Sequence, residues 1–462
     1  MKAISLSPVT RISGLLSIDI YLGPGQIISE ANCIGEQFRG FELMMKGRKI
    51  LDAVYFTQRI CGICSMAHGY TAARLVNKIY NARLAPEARM LQQAMLGAEF
   101  LQNHIRHFYL LVLPDYLESS SLPGSGTGLK DRRFTDAQTR LLVDHYFAAM
   151  EYSRKCHDML AVFGGKIPHQ HGLVAQGVTV VPTADKKMQF LSLLKQVQDF
   201  LTQVMVPDAY LLAEVYPDYF HIGTRPPRFI SFGLFEPEFG GHFPAGIYDG
   251  EKFLPVQPQE IDESILFAWF TATPEGETVP APDKPAAYTW VKAPRYRGLA
   301  LEGGPLARKI ISSRSLVTAP GTMSRIIARA EEAALIATWM EQWVRELPAK
   351  GKYITELAAP ARLQATQIND APRGPLLHSM KINNDQVEKY DVITPSTWNF
   401  SPKDDTGKRG PVEEALVGTR VSSSTDLVEV GRVVRAFDPC LSCAAHVINS
   451  EGQRLISINL QG

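Results

Sequence analysis

The sequence predicts an α+β fold that is predominantly helical, with a large helical-bundle core and small peripheral β-sheets. Two patterns indicate this class: long segments carry apolar residues at helical spacing, and the N-terminal segment alternates apolar with polar residues. The chain has 462 residues, of which 45% are hydrophobic, so it can bury a large core. No repeat or low-complexity linker divides it, which favours one domain.

Each element follows from its own stretch of sequence. LLSIDIYL and QIISEANCI flank a Gly-Pro-Gly turn at residues 23–25 and predict a β-hairpin. Apolar residues at helical spacing predict helices at about residues 87–113, 136–163, 184–215 and 322–346. Residues 216–300 are rich in Pro, Gly and aromatic residues without a steady period, which favours short strands and loops packed on the helices.

Charge and hydropathy restrict the partners and the compartment. The net charge of +1, from 48 basic and 47 acidic residues, gives no reason to expect nucleic acid, and favours small substrates or protein partners. No run approaches the roughly 18 apolar residues of a membrane span. The N-terminus lacks the apolar segment and cleavage site of a signal peptide. By its own signals the chain is expected to be cytoplasmic.

Four of the six cysteines form two CxxC pairs near opposite ends of the chain. They lie in RICGICSMAH at residues 59–68 and in DPCLSCAAH at residues 438–446. A CxxC spacing allows two sulfurs to reach one centre, and soft thiolates favour nickel, iron, zinc or Cu(I). We therefore expect Cys61, Cys64, Cys440 and Cys443 to bind metal.

Two other interpretations of the cysteine pairs are a structural zinc site and a redox-active dithiol. Paired CxxC motifs more commonly form a structural zinc site, but such pairs usually lie close together and stabilise a small module. A thioredoxin-like dithiol would require a βαβ pattern, which neither pair has. Spacing alone slightly favours a catalytic metal centre and leaves the structural zinc site open.

The chain resembles the nickel–iron hydrogenase large-subunit family in short blocks from Pro8 to its end. Besides the RxCGxC and DPCxxC signatures, the blocks are PVTRI (8–12), FRGFE (38–42), HIRHFYLLVLPD (104–115), FGGKIPH (163–169), YTWVKAPRY (288–296), EGGPLAR (302–308), APRGPLLH (371–378) and TPSTWN (394–399). They follow the family's order. The resemblance implies a catalytic subunit that reversibly cleaves H2 into protons and electrons, with a fold shared by the quinone-site subunits of respiratory complex I.

The resemblance also implies the cofactor. The family holds a nickel–iron centre whose iron carries carbonyl and cyanide ligands. All four thiolates would bind nickel, with Cys61 and Cys440 as terminal ligands and Cys64 and Cys443 also bridging to iron. A quinone-site subunit of the complex I type, the nearest alternative, has lost these cysteines, whereas this chain has all four.

Further site residues are carried over from matching family positions. Arg373 resembles the arginine that lies over the metals, and Pro372 and Ser396 match positions that surround or hydrogen-bond the cyanides. Asp115 and Asp438 match the two aspartates that orient that arginine. An ordinary salt bridge for Arg373, and a turn-forming role for a lone Asp before Pro, are the alternative interpretations.

Three residues outside this group also match family positions. His68 is expected to donate an N–H group to the sulfur of Cys64. Glu42 and His446 match ligands of a magnesium or iron ion near the C-terminus. Without the resemblance, His68 would be read as a satisfied core histidine, and Glu42 as a solvated carboxylate.

H2 cleavage requires a base close to the metals and a route for electrons. A terminal thiolate such as that of Cys440 is the favoured base, because deprotonating Arg373 costs more at its usual pKa. Cys33 and Cys156 are isolated, so the chain offers no site for iron–sulfur clusters. An iron–sulfur small subunit is therefore an expected partner.

Two features concern proton transfer and maturation. The family's RIEGH block reads RISGL here, so Ser13 replaces the glutamate that usually carries protons, and water near Glu36 or Glu302 is the alternative route.

Residues 1–446 are expected to form the catalytic domain. Residues 447–462 resemble the peptide that a maturation endopeptidase removes after nickel-insertion proteins have acted, although RLISINL also alternates like a terminal strand. Export or membrane association together with the small subunit remains compatible with the sequence.

Overall fold

The structure, a computed structural model, describes residues 3–117, 122, 131–274, 277–315, 320–423 and 427–444. Its α-helices are α1 (Phe41–Met45), α2 (Asp52–Thr57), α3 (Ser65–Ile79), α4 (Pro86–Arg106), α5 (Asp136–Gly164), α6 (Ala184–Phe200), α7 (Val206–Val215), α8 (Pro305–Ser313), α9 (Thr322–Glu346), α10 (Pro395–Asn399), α11 (Pro411–Leu416), α12 (Val428–Ala436) and α13 (Leu441–Ala444). His446 and the tail 447–462 lie outside the described residues.

The β-strands are short and form small separate sheets. They are β1 (Ala3–Leu6), β2 (Leu16–Leu22), β3 (Ile28–Gly35), β4 (Leu173–Val174), β5 (Gly177–Val178), β6 (Phe229–Leu234), β7 (Phe243–Tyr248), β8 (Phe253–Leu254), β9 (Ile261–Ser264), β10 (Phe270–Ala272), β11 (Thr278–Pro280), β12 (Ala293–Tyr296), β13 (Gln364–Ala371), β14 (Gly374–Asn383) and β15 (Gln386–Ile393). The sheets are β1-β2-β3, β4-β5, β6-β7-β8, β9-β12, β10-β11 and β13-β14-β15.

Long helices form the core of the molecule. α4 packs against α5 and α9, and α6 also contacts both α5 and α9. Their apolar side chains belong to one large buried cluster. The predicted fold class, a helical core with small sheets, is thereby confirmed. Within the described ranges, no helix is long and apolar enough to cross a membrane.

The predicted helices agree with the observed ones except where proline interrupts the hydrogen bonding. α5 and α9 match the predictions almost to the residue. The predicted helix at 184–215 is divided by a π-helical turn, Leu201–Met205, just before Pro207. Proline has no N–H group to donate to the preceding turn, which accounts for the interruption. The helix predicted at 87–113 likewise passes through a π-helical turn, His107–Val112, before Pro114.

The predicted N-terminal hairpin is present and is extended by a third strand. β2 pairs antiparallel with β3 and with β1. The apolar residues that alternate along β2 and β3 pack in a second buried cluster with residues of α11 and α12. The short strands predicted between residues 216 and 300 are β6 to β12.

Among the elements that were not predicted, α3 and the sheet β13-β14-β15 carry parts of the site. α3 follows Cys64 directly, and its buried residues include polar ones such as His68 and Thr71, which makes it harder to recognise from hydrophobicity. The sheet β13-β14-β15 was also missed. Its second turn, Asn384 and Asp385, has φ values of 48° and 61°, which fits the type I′ hairpin turn that these residues favour.

Candidate metal centre

The four cysteines of the two CxxC pairs converge, although they come from opposite ends of the chain. The sulfurs of Cys61 and Cys440 are 3.5 Å apart, those of Cys64 and Cys443 are 3.4 Å apart, and those of Cys440 and Cys443 are 2.9 Å apart. All four sulfurs lie within 4.8 Å of one another and are buried. Such a set of soft donors can surround a single metal ion.

Arg39, in the FRGFE block, holds the two cysteine loops together. Its Nη1 donates to the carbonyl of Ile60 at 2.6 Å and to the carbonyl of Ser442 at 3.0 Å. One guanidinium therefore joins the residue before Cys61 to the residue before Cys443. No local pattern around Arg39 indicates this role, which becomes visible only once the two loops are adjacent.

Ser13 also lies at the centre, through its backbone. Its carbonyl accepts from the N–H of Leu441 at 2.7 Å, and its N–H donates to the carbonyl of Pro439 at 3.3 Å. The position that lacks the family's glutamate is therefore directly beside Cys440. Glu36, one of the predicted alternative carboxylates, accepts from the hydroxyl of Ser17, whereas the other, Glu302, forms a two-pronged ion pair with Arg325.

Arg373 lies in the tight turn between β13 and β14, close to the thiolates. Its Nε is 3.0 Å from Oδ1 of Asp438, as the resemblance predicts for that aspartate. The other carboxylate oxygen of Asp438 accepts from Asn103 at 2.9 Å and pairs with Arg329 at 3.1 Å. Within the described residues, the buried Nη1 of Arg373 makes no hydrogen bond, so this donor is available to a ligand.

The charges around the centre favour the ionised forms of Cys440 and Arg373. Hydrogen bonding by the thiols of Cys443 and the other cysteines, together with the charge of Arg373, lowers the pKa of Cys440 well below its usual value. Although burial opposes its charge, Asp438 and the thiolates raise the pKa of Arg373 well above its usual value. These surroundings thus favour the thiolate form of Cys440 and the protonated form of Arg373.

α8 fixes the turn that carries Arg373. Arg308, fully buried, donates to the carbonyl of Ala371 at 3.3 Å and to that of Pro372 at 3.1 Å. It also pairs with Glu332 and Asp370 at 2.6 and 2.8 Å. Arg308 belongs to the EGGPLAR block, but no local pattern indicates these partners.

A glycine permits the close approach of that turn to α8. Gly374 has a φ of +127°, and a Cβ there would lie 2.7 Å from the backbone nitrogen of Gly304, the residue before α8. Any side chain at this position would push the turn away from the helix. Pro372 and Arg373 are therefore held by backbone packing as well as by Arg308.

Ser396, at the start of α10, contacts the same loop as Cys440. Its hydroxyl oxygen accepts from the N–H of Cys440 at 2.9 Å. Ser396 is buried, in agreement with a position beside the metals. The structure therefore brings Ser396 and Arg373 to the cysteines, as expected from the TPSTWN and APRGPLLH blocks.

The expectation that Asp115 orients Arg373 needs correction. Its two carboxylate oxygens bind Arg11 and Nη1 of Arg435, the latter at 2.7 Å. Both partners are arginines of the N- and C-terminal segments, so Asp115 joins those segments. Asp438 alone of the two predicted aspartates contacts Arg373.

One ring nitrogen of His68, which is expected to donate to the sulfur of Cys64, faces a second histidine. Nδ1 of His68 is 3.1 Å from Nε2 of His378, and Nδ1 of His378 is 2.8 Å from the hydroxyl of Tyr390. His68 thus begins a buried chain of polar groups that leads away from the cysteines. Burial lowers the pKa of His68 to about 4, so its ring is neutral at pH 7.

Glu42, the predicted ligand of a second ion, lies in α1. Its Oε1 accepts from the N–H of Val392 at 2.9 Å, and burial raises its pKa to about 7. Glu42 and Ala444, near the end of the described chain, line the same small cavity. The other predicted ligand, His446, lies outside the described residues.

Glu99 is a further residue at the site that the sequence did not suggest. This buried carboxylate of α4 accepts from the N–H groups of Met66 and Ala67, at 2.6 and 2.8 Å, in the first turn of α3. It thereby fixes the start of the helix that follows Cys64. Burial raises the pKa of Glu99 to about 8. Its only sequence signal is a carboxylate inside an apolar helical segment.

These residues fit a nickel–iron centre of the kind the resemblance implies. Four buried sulfurs provide the soft donor set. The unpaired Nη1 of the Arg373 guanidinium suits an anionic acceptor such as cyanide. A structural zinc site would use the same sulfurs but would provide no hydrogen-bond acceptor for that buried donor.

Comparisons with known proteins agree with the geometry. The family model described as nickel-dependent hydrogenase matches residues 39–124 and 128–446. The periplasmic [NiFeSe] hydrogenase large subunit of Desulfomicrobium baculatum is 34% identical over 97% of this chain and 95% of its own length. The Hydrogenase-1 large chain of Escherichia coli is 26% identical, over 100% of this chain and 97% of its own length.

A solved structure extends the agreement to the fold. The Ni-Fe-Se hydrogenase from D. vulgaris Hildenborough superposes with a TM-score of 0.90 and 35% identity. The match covers 96% of this chain and 100% of that one. Family match, sequence identity and superposition all span nearly the whole polypeptide, including both cysteine pairs. The chain therefore belongs to the nickel-dependent hydrogenase family.

Proposed function

We propose that this chain is the catalytic large subunit of a nickel–iron hydrogenase, which cleaves H2 reversibly into protons and electrons. The observation that carries the proposal is the convergence of four buried sulfurs within 4.8 Å in a chain of this family. Cys61, Cys64, Cys440 and Cys443 would hold the nickel, and Cys64 and Cys443 would also hold an iron with carbonyl and cyanide ligands. When bound, the metal pair polarises H2 and accepts its electrons.

Cys440 is the base that takes the proton from H2. A base must be deprotonated before the reaction, and the surroundings of Cys440 favour its thiolate form. Arg373 is a weaker candidate, because Asp438 and the thiolates hold it in the protonated form. Its charge instead favours the anionic groups of the centre, and Asp438 keeps it in place.

The remaining site residues orient the centre. Ser396 and Pro372 lie next to Cys440 and Arg373, where the family positions its cyanide ligands, and Ser396 also holds the backbone of Cys440. His68 is neutral and linked to His378, so it contributes an uncharged, fixed neighbour to the cysteine loop. Asp115 supports the site indirectly through Arg11 and Arg435.

A magnesium or iron ion near the C-terminus is part of the same proposal. Glu42 is the described half of its ligand set and His446 the other. Glu42 is oriented by Val392 and shares a cavity with Ala444, two residues before His446. A cation there would favour the ionised form of Glu42, which burial alone disfavours.

Electrons leave through a partner. Cys33 and Cys156, the cysteines outside the cluster, are single buried residues, so this chain supplies no second cysteine group for an iron–sulfur cluster within its described part. An iron–sulfur small subunit is the partner that we propose. One relative is named a periplasmic enzyme, and we propose that this chain too reaches its compartment bound to that subunit.

Metal analysis of the purified complex tests the function against its alternatives. The proposal predicts about one nickel per chain, iron in excess of nickel because the small subunit carries iron–sulfur clusters, and H2 oxidation. A structural zinc protein would contain zinc without nickel. A quinone-site subunit of the complex I type would bind no nickel and would not oxidise H2.

Replacing Ser13 by glutamate tests the proton route. We expect Ser13→Glu to raise the rate of H2 oxidation by up to about tenfold, because a carboxylate beside Cys440 shortens the path for protons. Isotope exchange between H2 and water, measured alongside, reports on proton steps separately from electron transfer. Ser13→Gln is the control, since it matches the size of glutamate without its ability to titrate. Equal rates and equal exchange in the two variants would refute a relay defect at this position.

The C-terminal tail is proposed to be removed during maturation. A maturation endopeptidase would cleave after His446 once nickel-insertion proteins have loaded the site, releasing the 16 residues 447–462. Mass spectrometry of the nickel-loaded complex should therefore show a chain that ends at His446, whereas nickel-free precursor should be full length. A full-length chain that contains nickel would contradict the processing step.

A further inference from the structure

A cavity of about 680 Å³ opens at the C-terminal end of α3, away from the cysteines. Its lining combines the last turns of α3, the start of α4 and the segment before β13. α3 has 15 residues, so this end is about 20 Å from Cys64. The volume falls within the range of roughly 300–1,000 Å³ that is typical of small-molecule sites.

Cations dominate the lining. Its charged side chains are Arg74, Lys78, Arg83, Arg89, Arg362 and Glu238. Glu236, just outside, pairs with both Arg74 and Arg89, and Glu238 pairs with Arg89. Five positive charges therefore face two carboxylates. Arg83 and Arg362 are exposed, and neither has a side-chain hydrogen bond or ion pair with any residue that the structure describes. Lys78, also exposed, donates to the carbonyl of Thr366.

Two further observations indicate a missing anionic partner. Burial, together with the charges of Arg74 and Arg362, lowers the pKa of Lys78, so the cations disfavour one another. Nε of Arg89 is a buried donor of the lining that lacks a hydrogen-bond partner in the described part of the chain. Such groups usually have a partner, either protein, water or ligand.

We propose that this cavity binds a small anion with two or more phosphate or carboxylate groups. Arginine forks suit both chemistries, because they form paired hydrogen bonds to planar carboxylates and to phosphates. Several anionic groups are needed to balance three excess charges, and the cavity has room for them. This binding site is separate from the metal centre, and the inference does not depend on the proposed hydrogenase activity.

Titration calorimetry on the purified complex with its small subunit tests the site. Pyrophosphate and citrate, each at low salt, are the probes, and their relative affinities distinguish a phosphate ligand from a carboxylate ligand. We expect one molecule of at least one probe to bind per chain. The Arg83→Gln/Arg362→Gln double variant should bind it at least about tenfold more weakly, since hydrogen bonds to charged groups contribute this much.

A matched double variant controls for the loss of two charges. Lys195→Gln/Arg345→Gln removes two exposed cations that pair with Asp199 and Glu341 on helix surfaces outside the cavity, and its affinity should equal that of the wild type. Unchanged nickel content shows that the variants are folded, and Arg362→Gln alone provides a milder second test. Absence of stoichiometric binding of both probes, or equal weakening in the two double variants, would overturn the proposal.

Discussion

Replacing Cys440 by serine is expected to abolish nickel retention and to lower H2 oxidation by at least about 10³-fold. The serine hydroxyl is a hard donor that stays un-ionised, whereas the surroundings of Cys440 favour its soft thiolate. Loss of a positioned base alone costs roughly 10² to 10⁴ in rate. Nickel per chain, measured by elemental analysis, and H2 oxidation by the purified complex are the two measurements.

Cys156→Ser is the matched control for this variant. Cys156 is also a buried free cysteine, but it lies in α5 and does not belong to the cluster. The same exchange there should leave the nickel content unchanged. A Cys440→Ser protein with full nickel and wild-type H2 oxidation would show that this sulfur neither binds the metal nor accepts the proton.

Arg308→Met is expected to destabilise the chain by about 3–5 kcal/mol. Arg308 is fully buried and pairs with Glu332 and Asp370, so its removal leaves two carboxylates without a cation in the interior. The turn bearing Arg373 would also lose its two hydrogen bonds to this side chain. We therefore expect H2 oxidation to fall even at temperatures where the variant is folded. Urea unfolding of the purified complex measures the loss of stability.

The neighbouring residue supplies the control for Arg308. Lys309 lies next to it in α8, but it is half exposed and pairs with Glu331 at the surface. Lys309→Met removes the same charge and should change the stability by less than about 1 kcal/mol, as is usual for surface ion pairs. If Arg308→Met lowered the stability as little as Lys309→Met does, the buried ion pairs of Arg308 would not be responsible for holding the turn.

The helical core was predictable because its helices are amphipathic. α5 and α9 each carry a regular apolar stripe, and their predicted bounds agree with the structure to within a residue. α3 was not predicted because polar residues such as His68 and Thr71 are buried in it among the apolar ones. The hairpin of β14 and β15 could have been found from its strand alternation and from Asn384 and Asp385, two residues that tolerate positive φ.

The site residues that belong to a family motif could be predicted from the sequence. Residues that act only through contacts with distant parts of the chain could not. The family's motifs point to the cysteines, Arg373 and Ser396, and the structure brings these residues together. Arg39 and Arg308 act on backbone carbonyls that only the folded chain places beside them, so no local pattern reveals them. Asp115 was assigned to the wrong arginine because a motif gives a residue's position but not which of several nearby cations it pairs with.

Infrared spectroscopy of the purified complex tests the central claim most directly. Carbonyl and cyanide bound to a metal absorb in a region where protein groups do not. If the four cysteines hold a nickel–iron pair, the spectrum should show these bands in protein that also contains nickel, and Cys440→Ser should abolish or shift them. A metal-loaded wild-type complex without any such band would contradict the assignment of this cluster as a hydrogen-activating centre.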